Sequence, residues 1–412
     1  MPKKTKSSKV GNKNIKNINN IYSNNEDIKI LNNKTKRNNR KLDKNELLKI
    51  EQNNFKNNNL NNNNDNELKE NSLEDYKNIN AGINSDPKDI EFLKNITEDS
   101  YNNFGLDNIF CLFESIIDDV FYLIYSNEKK SIISFNLIDN KKIIEVKNAH
   151  NKDITNFRHC LDIINNIDLV ISISKDDNNI KLWDANFWIC LLNIKNINEK
   201  GLLYSACFLE ENNQIYIITS NKSFGHSDPI KVFDLKGNKI KEINNFNDKT
   251  FVIDSYYDDK LNKNYIITGN VGNVKSYCYD NCKIYHKYGN NKRPHTSIVI
   301  NHNFKIIKLI ESSWDGVIRI WNFHSAELLR RINSSNNKIY GICLWNNKYL
   351  FVGCYDKTIK LIDIKIGKVV KNLVGHNYEI LTIKKLSHPK YGECIISQSW
   401  LKEQLKLWIN KK

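Results

Sequence analysis

Two sets of residues in the sequence combine the types that a serine hydrolase needs. They are His150, Ser174, Asp176 and Trp183, and His295, Ser313, Asp315 and Trp321. In a hydrolase the serine attacks an acyl carbon, the histidine takes the serine proton, and the aspartate orients the imidazole. A set that recurs in one chain is better explained as a structural hydrogen-bond network. Because the sequence also lacks a G-x-S-x-G elbow, a P-loop and an H-E-x-x-H motif, we predict no enzymatic activity and no cofactor.

A zinc site would need thiol and imidazole ligands, and Cys278, Cys282 and His286 lie close together in the sequence. Their spacing is not that of a common zinc finger or ribbon, so we predict no metal.

The nine cysteines are an odd number and contain no C-x-x-C pair. This usage predicts reduced thiols in an intracellular protein, with cytoplasm and nucleus both open.

The tryptophan of each set ends a short strand, and that strand ending recurs along the chain. Its seven copies are SIISFN, NIKLWD, PIKVFD, NVKSYC, VIRIWN, TIKLID and QLKLWI. Successive copies lie 41 to 50 residues apart. A period in the forties that is filled by short strands predicts a β-propeller with one blade per copy.

Each copy contains four short runs of β-branched and aromatic residues. In residues 338–375 the runs are KIYGICLW, KYLFVGC, TIKLIDI and GKVVKNLVG, with polar turns between them. The first three runs are apolar at nearly every position, as in a sheet that is covered on both faces. The fourth run carries more charge, which is typical of an outer edge strand. The predicted fold class is therefore all-β, a seven-bladed propeller.

These repeats resemble the WD40 family of β-propellers from about residue 108 to residue 412. The family's Gly-His and Trp-Asp pairs correspond to Ala149-His150, Pro294-His295, Gly375-His376, Trp183-Asp184, Phe233-Asp234 and Trp321-Asn322. The resemblance implies that the two His, Ser, Asp and Trp sets form the buried network of WD40 blades. It also implies a non-enzymatic scaffold or adaptor that binds protein or peptide partners on its upper face, in multi-protein complexes.

An aromatic residue occupies the same turn in three consecutive copies: Trp314, Tyr355 and Trp400. In the geometry of the resembled family, this turn faces the upper surface around the central channel. Tyr340 and Tyr378, at the starts of the adjoining inner strands, extend the patch. Exposed Trp and Tyr at a concave rim are typical of interaction hot spots, so we predict that these five residues bind the partner.

Ring closure needs one more outer strand, because the chain ends just after the seventh copy. The segment DIEFLKNIT, 89–97, resembles the other fourth strands and is predicted to close the last blade. The alternative is a helix start, since Asp86-Pro87 precedes apolar residues at Ile90 and Leu93.

Residues 1–88 are predicted to be a disordered Asn/Lys-rich basic tail, and residues 89–412 the propeller. Residues 1–49 contain 14 Lys and Arg against 4 Asp and Glu, and residues 1–85 contain 26 Asn. This charge either follows from the Lys- and Asn-rich composition of the whole chain or binds nucleic acid in a ribonucleoprotein or chromatin complex. The residues for such binding are Lys3, Lys4, Lys6, Lys9, Lys34, Lys36, Arg37, Arg40 and Lys41.

A further alternative is phosphoinositide binding through Arg330 and Arg331 on a fourth strand. The sequence shows no signal-peptide pattern and no apolar run that approaches ~18 residues, so we predict no transmembrane segment.

Overall fold

The computed structural model describes residues 86–96, 109–115, 117–118, 120–127, 130–195, 201–223, 229–244, 249–302, 306–400 and 405–410. All of them belong to one compact unit, Ile79–Lys412. The predicted tail, apart from 86–88, lies outside the described residues, and so do all the basic residues proposed to bind nucleic acid. The division of the chain at residue 88 therefore stays a prediction.

The described residues form seven antiparallel sheets of four strands each. The strands are β1 (Ile90–Asn95), followed in blade 1 by β2 (Cys111–Glu114), β3 (Phe121–Ser126), β4 (Ile132–Asn136) and β5 (Lys141–Val146). Blades 2 and 3 contain β6 (Ile154–Asp162), β7 (Ile167–Ser174), β8 (Asn179–Asp184), β9 (Ile189–Lys195), β10 (Gly201–Glu211), β11 (Gln214–Ser223), β12 (Ile230–Asp234) and β13 (Lys239–Ile243). Blades 4 and 5 contain β14 (Thr250–Asp258), β15 (Lys263–Asn270), β16 (Val274–Cys278), β17 (Lys283–Tyr288), β18 (His295–Asn301), β19 (Lys308–Ser313), β20 (Val317–Asn322) and β21 (Leu328–Asn333). Blades 6 and 7 contain β22 (Ile339–Leu344), β23 (Tyr349–Cys354), β24 (Thr358–Asp363), β25 (Lys368–Val374), β26 (Ile380–His388), β27 (Gly392–Ser399) and β28 (Lys406–Asn410).

The N-terminal strand β1 is the outer strand of blade 7. It pairs antiparallel with β28, from Ile90 opposite Asn410 to Asn95 opposite Lys406. The predicted closing strand is therefore confirmed. The capped-helix pattern before it is also present, but only as a single 3-10 turn, Pro87–Asp89, in which Asp86 Oδ1 accepts a hydrogen bond from the amide of Lys88.

Burial along each blade follows the predicted order of strands. β7 is buried at every position but its first, whereas β21 is exposed at every position but Ile332. The apolar side chains form seven clusters, and each cluster lies between two neighbouring blades. The core is therefore distributed around the ring, because a single blade cannot bury its own faces.

Two further findings concern the class of protein. All nine cysteines are free thiols, and seven of them are buried. Within the described part of the chain, no helix has the length and hydropathy needed to cross a bilayer.

Candidate functional site

Blades 2 and 7 contain the same buried hydrogen-bond network. In blade 2, Trp183 Nε1 donates to Ser172 Oγ over 2.8 Å, and that oxygen lies 2.7 Å from His150 Nε2. In blade 7 the distances are 2.7 Å from Trp408 Nε1 to Ser397 Oγ and 2.7 Å from that oxygen to His376 Nε2. Burial, helped by the nearby Lys181, lowers the pKa of His150 to about 3, so this ring is neutral at physiological pH. Each network therefore connects the loop that precedes the inner strand to the second and third strands of the same blade.

The serine and aspartate of blade 2 differ from the predicted ones. The bridging hydroxyl is that of Ser172, whereas Ser174 Oγ is buried without a hydrogen-bond partner in the described structure. Trp183 lies opposite Val170. Because side chains alternate along a strand, Ser172 is the next residue of β7 on the same face. Ser174 lies two residues further along, beside the turn and farther from the indole. Asp176 is exposed, and it is Asp177 that accepts hydrogen bonds from the loop amides before the inner strand.

Blade 5 has a carboxylate where blades 2 and 7 have the serine. Glu311 is fully buried, and its Oε2 lies 2.8 Å from His295 Nδ1. Its Oε1 accepts a 3.5 Å hydrogen bond from Trp321 Nε1 and lies 3.6 Å from Arg319 Nη1. Ser313, the predicted bridging residue, instead accepts a weak 3.4 Å hydrogen bond from Asn291. His295 and Trp321 of this blade thus both contact one buried carboxyl group instead of a serine hydroxyl.

Asp315 of the predicted blade 5 set pairs with Arg319 rather than with the histidine. Burial alone would raise the pKa of Asp315, but the hydrogen bond and positive charge of Arg319 hold it below its ordinary value. These contacts satisfy Asp315 internally. None of the predicted network residues therefore has the geometry of a catalytic triad.

The structure gives a role to the basic residue two positions before the strand-ending aromatic, which was not among the predicted site residues. Lys181 Nζ donates to Ala149 O over 2.6 Å, and Lys406 Nζ makes the same contact to Gly375 O. The sequence pattern could have indicated this role, because six of the seven copies have Lys or Arg at this position. The ammonium group binds the loop that precedes the inner strand.

The three turn aromatics occupy equivalent positions. Backbone amides of Trp314, Tyr355 and Trp400 donate to carbonyl oxygens that directly precede the inner strand of the same blade, over 3.0, 2.9 and 2.7 Å. The turn between second and third strands therefore lies against the start of the inner strand. We call the face that carries these turns the upper face.

A β-bulge near the start of the inner strand is repeated in six blades. The bulged residues are Thr155, Tyr204, Phe251, Thr296, Tyr340 and Leu381. Bulges re-aim side chains, and here they bring aromatic rings of neighbouring blades together. Ring centroids lie 5.6 Å apart between Tyr204 and Phe251, 6.0 Å between Phe251 and Trp314, and 6.1 Å between Trp314 and Tyr340.

Exposure separates the five predicted contact residues into two groups. Tyr355 and Tyr378 are 43% and 39% exposed, whereas Tyr340 is only 2% exposed. Tyr340 belongs to the apolar cluster between blades 7 and 1, and Trp314 and Trp400 pack partly buried against that cluster. Tyr340 therefore supports Trp314 from within the core, and its assignment as a surface contact is wrong.

A lysine covers the aromatic residues of two neighbouring turns. Lys338 Nζ lies 4.4 Å from the ring centroid of Trp314 and 5.6 Å from that of Tyr355. Lys175, at the equivalent turn of blade 2, lies 5.4 Å from the ring of Tyr204. Among the described residues Lys338 has no carboxylate partner, so the upper face combines aromatic surface with an unneutralised positive charge.

The candidate zinc ligands and the arginine pair lie outside the upper face. His286 Nε2 hydrogen-bonds the carbonyl of His324 over 2.6 Å, and Cys282 Sγ contacts the carbonyl of Tyr279. Over the described residues, no group of three His, Cys, Asp or Glu side chains is arranged to hold a metal ion. Arg330 and Arg331 lie exposed on the outer strand β21.

The seven four-stranded blades, the shared His-Ser-Trp networks and the strand exchange at the ring closure define a WD40-repeat β-propeller. Proteins with this architecture generally act as non-enzymatic interaction scaffolds.

Comparisons with known proteins support the family over short segments. The chain is 25% identical over 85 residues to the U3 small nucleolar RNA-associated protein 21 homolog of Schizosaccharomyces pombe, which is 21% of this chain and 9% of that protein. It is 31% identical over 80 residues to the anaphase-promoting complex subunit cdh1 of Dictyostelium discoideum, which is 19% of this chain and 10% of that protein. The chain thus matches about a tenth of the length of either relative, and no family model matches it.

Proposed function

We propose that the propeller binds a protein or peptide partner on its upper face, through Tyr355, Tyr378, Lys338 and the accessible edges of Trp314 and Trp400. The observation that carries this proposal is Lys338, which lies over two aromatic rings without a carboxylate partner in the described structure. Aromatic rings and a charge on a fixed rim favour binding, because little side-chain entropy is lost. One of the curated relatives is named as a subunit of the anaphase-promoting complex, which supports a role as an adaptor.

The test is a variant that combines Lys338→Glu, Tyr355→Ala and Tyr378→Ala. Trp314 and Trp400 stay unchanged because their rings also pack against the core. We expect the recovery of the specific partners in affinity purification with quantitative mass spectrometry to fall by about tenfold or more, since a hot-spot side chain contributes about 2 kcal/mol.

A matched control changes Phe187→Ala, Ile284→Ala and Lys365→Glu, which are exposed side chains outside the upper face. Circular dichroism is used to check that both variants are folded. If the two variants recover the partners equally well, the proposal that the upper face binds them is wrong.

A second candidate function is binding of RNA through residues 1–49. Two observations favour it: the excess of Lys and Arg in this segment, and the similarity to a protein named for its association with a small nucleolar RNA. Deletion of residues 1–49 is expected to abolish the binding of a single-stranded RNA oligonucleotide in filter assays, and the binding of the full chain is expected to weaken steeply with salt. The control deletes residues 50–85, which contain 3 Lys and Arg against 6 Asp and Glu. Full affinity after the first deletion would exclude this function.

A further inference from the structure

The lower face, opposite the upper face, contains a groove across blades 2, 3 and 4. A cavity of about 320 Å³ lies between blades 2 and 3, and one of about 820 Å³ lies between blades 3 and 4. Glu210 and Asn213, at the turn between β10 and β11, line both cavities. The two cavities therefore lie on either side of this turn, and we call them together the lower groove.

The part of the lower groove between blades 2 and 3 has an apolar wall as well as polar residues, which include Asp162, Asp234 and Lys236. The apolar wall consists of Leu161, Ile163, Ile164, Ile215, Tyr216 and Leu235. Ile163 and Ile164 are 59% and 67% exposed, in a turn that is fixed by hydrogen bonds from Asn165 to Asp162. Two adjacent exposed isoleucines on an ordered turn leave apolar area that a partner's side chain can cover.

The part between blades 3 and 4 is acidic. Its lining includes Glu210, Glu211 and Asp280 and contains no Lys or Arg. Among the described residues, none of these three carboxylates pairs with a lysine or arginine. Beside them, Tyr257 is 51% exposed, and its hydroxyl is held by Asn262 over 2.7 Å. Such a site attracts a cation, whereas the chain as a whole carries a net charge of +15.

We infer that the lower groove binds a basic, amphipathic peptide segment of a protein partner. An apolar side chain of the segment enters the cavity beside Ile163 and Ile164. Its Lys or Arg side chains reach Glu210, Glu211 and Asp280, and a guanidinium group stacks on Tyr257. Nucleic acids do not fit, because their phosphates would meet these carboxylates. This surface is separate from the upper face, so the two proposals stand or fall independently.

The probe is a fluorescein-labelled peptide of alternating arginine and leucine, titrated with the full chain and followed by fluorescence anisotropy at physiological salt. The groove variant is Glu210→Gln/Glu211→Gln/Asp280→Asn. The control variant, Asp89→Asn/Asp176→Asn/Glu327→Gln, changes the net charge equally at exposed positions outside the groove. We expect the groove variant to bind roughly tenfold more weakly and the control to bind as the wild type does, since charge-assisted hydrogen bonds are the stronger class. Because the whole chain is positive, general attraction of this peptide is disfavoured.

The apolar part is tested with Ile163→Ser/Ile164→Ser against Ile366→Ser, another exposed isoleucine. Weaker binding only in the double variant supports the inference, as does weaker binding of a peptide in which serine replaces leucine. Melting temperatures are measured to check that these surface variants fold. Equal losses in the groove and control carboxylate variants, or no loss in either, would overturn the inference. Unchanged affinity of the serine peptide would overturn it as well.

Discussion

A chain that starts at Thr97, and so lacks β1, is expected to melt roughly 10 °C or more below a chain that starts at Asp86. Without β1, the strand β28 loses its pairing partner over the whole length from Lys406 to Asn410. Ile90, which is fully buried in the cluster between blades 6 and 7, is lost too, and removal of one such side chain costs about 2–5 kcal/mol. Phe92 no longer covers Trp408, from whose ring it lies 5.5 Å away. These losses are a large part of the roughly 5–15 kcal/mol that stabilises a typical domain.

Differential scanning calorimetry of the two chains measures this effect. A synthetic peptide of residues 86–96, added in excess, is expected to raise the melting temperature of the shorter chain, because it binds the open edge of β28 as β1 does. A peptide of the same composition in scrambled order is the control. Identical melting temperatures for the two chains would show that β1 does not close the ring.

Glu311→Ala is expected to destabilise the propeller by about 3–5 kcal/mol, the range measured when one partner of a buried ion pair is removed. Glu311 is the group that His295, Arg319 and Trp321 share, and all four side chains are buried. Without Glu311, Asp315 at the edge of the network is the remaining carboxylate partner of Arg319. Urea unfolding of the full chain gives the change in the free energy of unfolding.

The double variant Glu311→Ser/Arg319→Lys recreates the arrangement of blades 2 and 7, where a serine bridges histidine and tryptophan and a lysine binds the preceding loop. We expect this double variant to recover at least half of the free energy of unfolding that Glu311→Ala loses. Glu327→Ala, at an exposed carboxylate of the same blade, is the control. If Glu311→Ala costs no more than this control, the carboxylate does not hold the network together.

Much of the fold could be predicted because a propeller repeats. The seven strand endings, from SIISFN to QLKLWI, all lie on third strands, and the charged runs lie on outer strands. Alternation of side chains along a strand places Ser172 and Ser174 on the same face, but it does not determine which of them lies within reach of the indole of Trp183. In blade 5, a lone glutamate inside the apolar run KLIESS was a usable signal for Glu311. The two lower-face cavities had no counterpart in the sequence, because their walls come from three different blades.

The sequence by itself determined the number of blades, the order of strands in each blade and the strand that closes the ring, since these depend on local β-propensity and a fixed period. Tertiary structure decided which side chains are accessible. Tyr340 and Tyr355 lie fifteen residues apart and were both predicted to contact the partner, yet one is buried and the other exposed. The reason is physical: a bulge turns Tyr340 toward the neighbouring blades, and the packing between blades, which no single repeat encodes, sets what remains at the surface.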